Sequence, residues 1–212
     1  MLLRPLMFAL GAVCTFSYAN DLVENSLDAG KVSAQSKPVT LLGQGVKVGQ
    51  QAPNFKVVDG NFTPVTLNDY QGQAVLLSVV PSLDTGVCSI QTKHFNEKVA
   101  SEFPSIAMLT LSADLPFAQK RFCKAENIDK VTALSDSVWR DFGQNYGLII
   151  KDMGLLTRAV FVLDKEHKIV YKQLVDNLSK EPDYDSAIDA LKKAITSAIL
   201  KTKNRQQAVF FA

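Results

Sequence analysis

The stretch Ala74-Val-Leu-Leu-Ser-Val-Val-Pro-Ser-Leu-Asp-Thr-Gly-Val-Cys88 decides the fold, because an apolar run passes directly into a polar, helix-periodic segment. The run from Ala74 to Val80 is broken only by Ser78, a pattern typical of a central strand in a sheet that helices cover on both faces. Pro81 ends the strand, and a helix follows. Cys88 therefore lies where a buried strand passes into a helix.

The position of Cys88 predicts a reactive thiol. With Thr85 as N-cap, the threonine oxygen would accept the N–H of the third helical residue, and the sulfur would lie near the positive end of the helix dipole. A thiol in that position ionises more easily. Asp84 and Gly86 leave the loop side uncrowded, so we expect an exposed sulfur. The alternative is that Cys88 is a small hydrophobic residue in a helix, as most free cysteines are.

Strands and helices alternate along the chain in the order βαβα and then ββα, which predicts an α/β, thioredoxin-like fold with a central mixed sheet, flanking helices and an N-terminal β-hairpin. The predicted elements are a hairpin of Val39–Leu42 and Val46–Val48, a strand pair of Val57–Val58 and Val65–Leu67, the strand Ala74–Val80, a helix Thr85–Ser101 with Phe95, Val99 and Phe103 on one face, a strand Ile106–Ser112 parallel to Ala74–Val80, a helix with Asp114 as cap and Pro116 in its first turn, a strand Val131–Leu134, a helix Val138–Tyr146 stopped by Gly147, a hairpin of Ala159–Leu163 and Ile169–Leu174, and a helix from Pro182 with Ile188, Leu191, Ile195 and Ile199 facing inward.

The chain has 212 residues and a hydrophobic content of 47%, enough for one sizeable core, and no linker divides it. We expect a signal peptide over residues 1–19, a flexible segment over 20–38, and one thioredoxin-like domain over 39–200. The tail 201–212 has no functional interpretation.

The N-terminus has the pattern of a secretory signal. Arg4 precedes the apolar run Leu6–Phe16, and Ser17-Tyr18-Ala19 offers small residues to signal peptidase, which predicts cleavage after that alanine. The run is too short for a membrane span, which needs about 20 apolar residues. Lipidation at Cys14 is disfavoured by the large Val13 before it. We therefore expect an exported, periplasmic protein with no membrane segment in its mature form.

The charged residues exclude one class of partner. The 23 basic and 21 acidic residues give a net charge of +2 without a basic cluster, so nucleic-acid binding is not expected. The two histidines, His94 and His167, lie in polar, exposed settings and share no ligand spacing, so neither a metal nor an organic cofactor is implied.

Removal of the signal leaves two of the three cysteines, Cys88 and Cys123, and in an exported protein these invite a structural disulfide as an alternative to a reactive thiol.

Four strings resemble a known family, the bacterial thiol peroxidases, which are atypical two-cysteine peroxiredoxins. They are PSLDTGVCSIQTKHFN (Pro81–Asn96), SADLPFAQKRFC (Ser112–Cys123), LTRAVFVLD (Leu156–Asp164) and QLVDNLSKEPDY (Gln173–Tyr184). The resemblance extends from about residue 39 to about residue 191 and leaves out both ends of the chain.

The resemblance implies a catalytic site of Cys88, Cys123, Thr85, Arg158 and Pro81. Cys88 would reduce hydrogen peroxide and alkyl hydroperoxides and become a sulfenic acid. Cys123 would then form an intramolecular disulfide with it, and a thioredoxin-like dithiol would reduce that disulfide. Because Cys123 lies on a separate predicted helix, we predict that both helices partly unwind in this step. The family also implies a homodimer and no cofactor.

Ionisation alone does not explain fast peroxide reduction. A thiol with a pKa near 8.5 is about 3% thiolate at pH 7, so full ionisation raises reactivity by at most about 30-fold, and a lower pKa also weakens the nucleophile. The site must therefore position the peroxide and stabilise the departing oxygen. The Thr85 hydroxyl, the N–H groups of Val87 and Cys88, and the Arg158 guanidinium are the candidate donors, and Phe117 is a candidate for an apolar substrate pocket or for the core.

Three alternatives remain open at the level of sequence. Arg158 could be a strand-edge arginine bonded to Asp136 or Asp164. The protein could be a thiol-disulfide oxidoreductase, although Cys88 does not begin a Cys-x-x-Cys motif. It could also be a non-enzymatic binding module with a structural Cys88–Cys123 disulfide.

Overall fold

The computed structural model describes residues 22–196, and seven of the eleven strands in that range form the central sheet. The eleven strands are β1 (Ser33–Ala34), β2 (Lys37–Pro38), β3 (Leu41–Leu42), β4 (Lys56–Val58), β5 (Pro64–Thr66), β6 (Val75–Val79), β7 (Ala107–Ser112), β8 (Thr132–Ser135), β9 (Ile149–Ile150), β10 (Ala159–Leu163) and β11 (Ile169–Leu174). The helices are α1 (Gly86–His94), α2 (Ala100–Glu102), α3 (Pro116–Ala125), α4 (Asp141–Tyr146) and α5 (184–196), with a 3-10 turn at Leu67–Tyr70 and a π turn at Phe95–Val99.

The strand order in the sheet is β11-β10-β6-β7-β8-β4-β5. Strands β6, β7 and β8 are parallel, and β10, β11, β4 and β5 are each antiparallel to their neighbours. This is the mixed sheet of the predicted thioredoxin-like fold, which is confirmed. The parallel β6–β7 pair, the β4–β5 pair and the β10–β11 hairpin are also confirmed.

Two apolar clusters lie on opposite faces of the sheet, and alternate residues of β6 point into each. One contains Val75, Leu77 and Val79, and the other contains Leu76, Val80 and Cys88. All five residues of β6 are buried, because helices cover both faces of a sheet with parallel central strands. The carboxyl end of β6 therefore lies inside the protein, where the segment that leads to α1 begins.

The predicted helix after β6 is continuous but not uniform. α1 passes through the π turn at Phe95–Val99 into α2, and Phe95, Val99 and Phe103 face the core as expected. The π turn carries an extra residue in the helical repeat, a feature frequent at functional sites. Apolar periodicity could not predict it.

The N-terminal hairpin exists, but its predicted strands were wrong. Leu41–Leu42 pairs with Ile149–Ile150, and the hairpin is formed by β1 and β2 within residues 33–38. The prediction failed because two nearby β-rich runs were assumed to pair with each other, whereas one of them pairs with a distant segment.

The flexible lead predicted over residues 20–38 is also wrong from residue 22 on. Val32 is 1% exposed, and the Asp28 carboxylate accepts a hydrogen bond from Lys172 Nζ on β11 at 2.6 Å. Asn25, also buried, donates to the carbonyl of Gly147. A polar segment is held here by long-range polar contacts that leave no periodic pattern in its own sequence.

Two helix starts differ from prediction. Leu115, not Asp114, is the N-cap of α3, with Pro116 in its first turn, and the helix predicted from Val138 starts at Asp141. Gly147 ends that helix in a left-handed conformation, as predicted. In α5 the buried residues are Ala187, Leu191 and Ala194, whereas Ile188 and Ile195 are partly buried.

Some expectations lie outside the described residues, namely the signal peptide 1–19, its cleavage site, Cys14, Ile199 and the tail 201–212. Within residues 22–196 no helix is both long and apolar enough to cross a membrane.

Candidate active site

Cys88 is the third residue of α1 and is fully buried, with an exposed fraction of 0%. The expectation of an exposed sulfur is therefore wrong. The first turn of α1 packs onto the sheet with Leu83, Val160 and Phe122 in the same apolar cluster. The polar loop residues Asp84, Thr85 and Gly86 are exposed instead, so the loop before Cys88 faces solvent and the sulfur faces the protein.

Arg158 reaches the sulfur of Cys88 from the start of β10. Its Nη2 donates to Sγ at 3.2 Å and to the carbonyl of Leu178 at 2.9 Å, Nε donates to that same carbonyl at 3.2 Å, and Nη1 donates to Gln91 Oε1 at 2.6 Å. The residue is 1% exposed. The structure thus brings together two of the predicted site residues, Cys88 and Arg158.

The alternative partners of Arg158 are engaged elsewhere. Asp136 accepts from the N–H groups of Phe142 and Gly143, and burial raises the pKa of that carboxyl to about 6. Asp164 accepts from backbone N–H groups in the β10–β11 turn. Among residues 22–196 no carboxylate forms an ion pair with Arg158. A buried cation is costly without a partner, and the Cys88 sulfur, 3.2 Å from Nη2, lies directly against this one.

Gln91 and Ser78 were not predicted as site residues. Gln91 is fully buried, and its Nε2 donates to Ser78 Oγ at 2.8 Å while its Oε1 accepts from Arg158. The signal was the single hydroxyl in an otherwise apolar strand, because a buried polar side chain needs a partner. Gln91 lies three positions after Cys88, on the same side of α1. These two residues fix the guanidinium beside the sulfur.

Thr85 is the N-cap of α1 by its backbone, but its side chain does not cap the helix. Its hydroxyl donates to the carbonyl of Ser82 at 3.0 Å, so the predicted contact to the third N–H of the helix is wrong. The hydroxyl proton is occupied and the oxygen lone pairs remain to accept a hydrogen bond. The expected role of Thr85 as a donor is therefore not available in this conformation.

Pro81 is buried at the end of β6, where the chain leaves the sheet. The next residues are fixed by Asp114, whose carboxylate accepts from Ser82 Oγ at 2.7 Å, from Leu83 N–H at 2.8 Å and from Ser112 Oγ at 2.8 Å. Asp114 was expected to cap α3. Instead it ties the loop before Cys88 to the end of β7.

Cys123 lies on α3, half-buried, and both Cys88 and Cys123 are free thiols. Burial raises the pKa of the Cys123 thiol. Between the loop before Cys88 and α3 lies a cavity of about 400 Å³. Its lining residues are Leu83, Asp84, Thr85, Gly86, Ser89, Arg121, Phe122, Ala125 and Glu126. The elements that carry the two cysteines are therefore neighbours across an opening.

The remaining candidates fall outside this group. Phe117 is 66% exposed and contacts the ring of Phe62 edge-on, with centroids 5.1 Å apart, so it is not a core residue. His167, expected to be exposed, is buried, and one of its ring nitrogens is 2.9 Å from the carbonyl of Tyr70. His94 is partly exposed and stacks on Tyr184. In the described part of the chain no group of three His, Cys, Asp or Glu residues is placed to hold a metal.

The fold and the buried cysteine–arginine pair define a redoxin, and the Redoxin family model matches residues 47–188. A peroxiredoxin-like protein from Aquifex aeolicus has a similar structure, with a TM-score of 0.73 at 40% identity, over 78% of this chain and 98% of that one. Thiol peroxidases from Oceanobacillus iheyensis and Listeria innocua are 48% identical over 162 residues and 49% identical over 164 residues. They cover 76% and 77% of this chain, which in turn spans 98% and 99% of their own lengths.

The chain belongs to the thiol peroxidase family. The resemblance found in the sequence is confirmed, and with it the enzyme class.

Proposed function

We propose that this thiol peroxidase reduces hydrogen peroxide and organic hydroperoxides by direct attack of Cys88. The thiolate attacks the terminal peroxide oxygen, the O–O bond breaks, and hydroxide or an alkoxide leaves and takes up a proton. Sulfur is oxidised to a sulfenic acid and the peroxide is reduced by two electrons. The observation that carries the proposal is the buried Arg158 guanidinium, with Nη2 3.2 Å from Sγ.

The surrounding groups supply the positioning that ionisation cannot. Arg158 is directed at the sulfur and at any oxygen bound to it, and is held there by Gln91 and the Leu178 carbonyl. Since the Thr85 hydroxyl group donates its proton to the Ser82 carbonyl, its oxygen lone pairs are left to accept the proton of a bound hydroperoxide. The N–H groups of Val87 and Cys88 lie in the uncapped first turn of α1, where an oxygen anion is stabilised. Pro81 provides an apolar wall that offers no hydrogen-bond donor of its own.

Cys123 is the proposed second thiol of the cycle. It attacks the Cys88 sulfenic acid, an S–S bond forms, the S–O bond breaks, and hydroxide leaves as water with the thiol proton. We propose that the first turn of α1 and part of α3 unwind in this step, which would bring the two Cα atoms within the roughly 7 Å that a disulfide requires. The open space between the two elements supports such a movement.

A thioredoxin-like dithiol would complete the cycle by reducing the disulfide. If residues 1–19 are a signal peptide, this donor is a periplasmic protein. We also propose a homodimer, as in the family. Mass spectrometry of the N-terminus of the exported protein tests the first point, and sedimentation at micromolar concentration, where a monomer alone would contradict a dimer, tests the second.

The reaction itself is tested by stopped-flow mixing of the reduced protein with hydrogen peroxide and with cumene hydroperoxide. Cys88→Ser should react no faster than a buffer blank. Cys123→Ser should consume one equivalent of peroxide at the wild-type rate and then fail to turn over with a dithiol donor. A wild-type rate no higher than that of a free thiol would refute the proposed chemistry.

A further inference from the structure

Asn96 links the helix that carries Cys88 to the loop that follows the helix of Cys123. It is 4% exposed, and its Oδ1 accepts from the N–H groups of Asp129, Lys130 and Val131 at 3.1, 2.8 and 3.3 Å. Its Nδ2 donates to the carbonyl of Asn127 at 3.3 Å. One buried amide thus forms four hydrogen bonds to a single loop.

That loop is attached firmly to the end of α3. The N–H of Ile128 donates to the carbonyl of Cys123 at 2.9 Å, and the N–H of Glu126 donates to that of Phe122 at 2.9 Å. Asn127 adopts a left-handed conformation with φ of 53°, which asparagine and glycine accept more readily than other residues do. Asn96 therefore fixes a loop whose backbone is bent at the point where α3 ends.

On its own helix, Asn96 lies in the π turn between α1 and α2. Phe95 and Val99 of this turn are buried in the apolar cluster that contains Cys88. The turn is therefore held by packing on one side and by the Asn96 amide on the other. A π turn at this position is the kind of irregularity that a helix retains for a specific contact.

The other end of α1 begins at the surface, although Asp114 holds Ser82 and Leu83 of the loop before it and the Cys88 side chain is buried. Asp84, Thr85 and Gly86 are exposed, and the Thr85 side chain does not cap the helix. A helix end whose first residues are exposed opens at a lower free-energy cost than a buried amide with four hydrogen bonds releases its partners. Unwinding should thus start at the Cys88 end and stop before Asn96.

We propose that Asn96 is a positioning residue for disulfide formation, a pivot that holds the ends of both cysteine-bearing helices together while their cysteine-bearing turns unwind. Cys88 lies about two helical turns before Asn96, and Cys123 about one turn before Asn127. With these ends fixed, two short tethers keep the sulfenic acid and the second thiol at a high effective concentration. This inference rests on the proposed Cys88–Cys123 cycle.

The test separates disulfide formation from peroxide reduction. Asn96→Leu removes all four hydrogen bonds, and Asn96→Asp keeps the three to Oδ1 but loses the donation to Asn127. After rapid mixing with peroxide and acid quenching, mass spectrometry gives the fractions of Cys88 as sulfenic acid, disulfide and sulfinic acid. The measured quantity is the rate constant of disulfide formation divided by that of peroxide reduction.

We expect this ratio to fall at least tenfold in Asn96→Leu and by a smaller factor in Asn96→Asp. Because the sulfenic acid survives longer, sulfinic acid should form at a correspondingly lower peroxide concentration. Two controls should keep the wild-type ratio. Ile169→Val lowers stability from the opposite face of the sheet. Ser101→Ala removes the exposed contact of Lys130 with the same helical segment and the bond of the Ser101 hydroxyl to the Glu97 carbonyl, but leaves Asn96 in place.

A wild-type ratio in Asn96→Leu, with only a lowered unfolding midpoint, would overturn the proposal and leave Asn96 a purely structural residue. If the leucine variant does not fold, Asn96→Asp decides by the same ratio, and a wild-type value there overturns the proposal. Failure of the proposed cycle itself would give a different result, because the wild-type protein would form no Cys88–Cys123 disulfide with peroxide.

Discussion

The two thiols differ in how far the groups around them are already positioned for reaction before the substrate binds. Cys88 is fully buried, and a guanidinium at 3.2 Å is held against it by Gln91 and a backbone carbonyl. Cys123 is half-buried on a separate helix, and burial raises the pKa of its thiol, which keeps it protonated at neutral pH.

The difference shows that the two steps draw on different physical resources. Peroxide reduction relies on a preorganised site, in which the charged groups are oriented before the reaction and need not reorganise. Disulfide formation relies on movement, because the second thiol must leave one set of contacts to make another. Changes near Cys88 should therefore affect the first step, and changes that concern Cys123 should affect the second.

The largest effect is expected from removal of the guanidinium. Arg158→Met should slow peroxide reduction by about 10²–10³-fold, the usual loss when one preorganised donor is removed from a site of developing charge. Arg158→Lys should recover only part of the rate, since an ammonium group cannot bond to the sulfur, Gln91 and the Leu178 carbonyl in one plane. Stopped-flow peroxide consumption measures both, and a lysine variant with full activity would show that charge alone is enough.

The next largest loss of activity is expected from changes at Gln91, because this residue acts through Arg158. Gln91→Leu leaves a guanidinium nitrogen and the Ser78 hydroxyl without partners, which costs about 1–3 kcal/mol, and should slow peroxide reduction by about 10-fold. Ser78→Ala removes only the hydrogen bond between Gln91 and Ser78, and leaves that between Gln91 and Arg158. It serves as the matched control and should lose less activity. Equal losses in the two variants would indicate general damage to the core rather than a shift of Arg158.

The acidity of Cys123 should govern the second step. Since the thiolate is the attacking form and its pKa is raised by burial, its ionised fraction rises with pH throughout the neutral range. The rate constant for conversion of sulfenic acid to disulfide should thus increase by about tenfold per pH unit below that pKa. Acid quenching at several pH values after one equivalent of peroxide measures it. A rate that does not change with pH would mean that unwinding, not ionisation, limits the step.

The sequence predicted those features of the site that depend on local pattern. The apolar run of β6, the cysteine at the start of a helix and the parallel β6–β7 pair follow from periodicity and length, and Arg158 came from the resemblance. Contacts between distant segments were not predictable in this way. Helical periodicity does not show which elements meet in space. That arrangement determines the burial of Cys88, the Asp28–Lys172 pair and the hydrogen bonds of Asn96.

Thr85 and Asp114 show the same limit on a smaller scale. Each was predicted to cap the helix beside it, on residue type and position alone. In the structure both bond to the loop between β6 and α1 instead. Thr85 donates to the Ser82 carbonyl, and Asp114 accepts from Ser82 and Leu83. A local rule gives the wrong partner here because short polar side chains have several acceptors and donors within reach.

The smallest effect should distinguish the two steps by sign, through Asp114. Asp114→Ala frees the loop before Cys88, so peroxide reduction should slow by roughly threefold, the scale of one modest hydrogen bond, while disulfide formation should become faster because the same loop must open. Asp114→Asn is the control and should stay within about twofold of the wild type. Its oxygen can still accept from Leu83 and Ser112, and its amide can donate to the Ser82 hydroxyl.

The rapid-quench assay measures both steps in one experiment. Changes of the same sign in the alanine variant would mean that one rigid arrangement serves both thiols, and the contrast between a prepared site and a mobile one would fail.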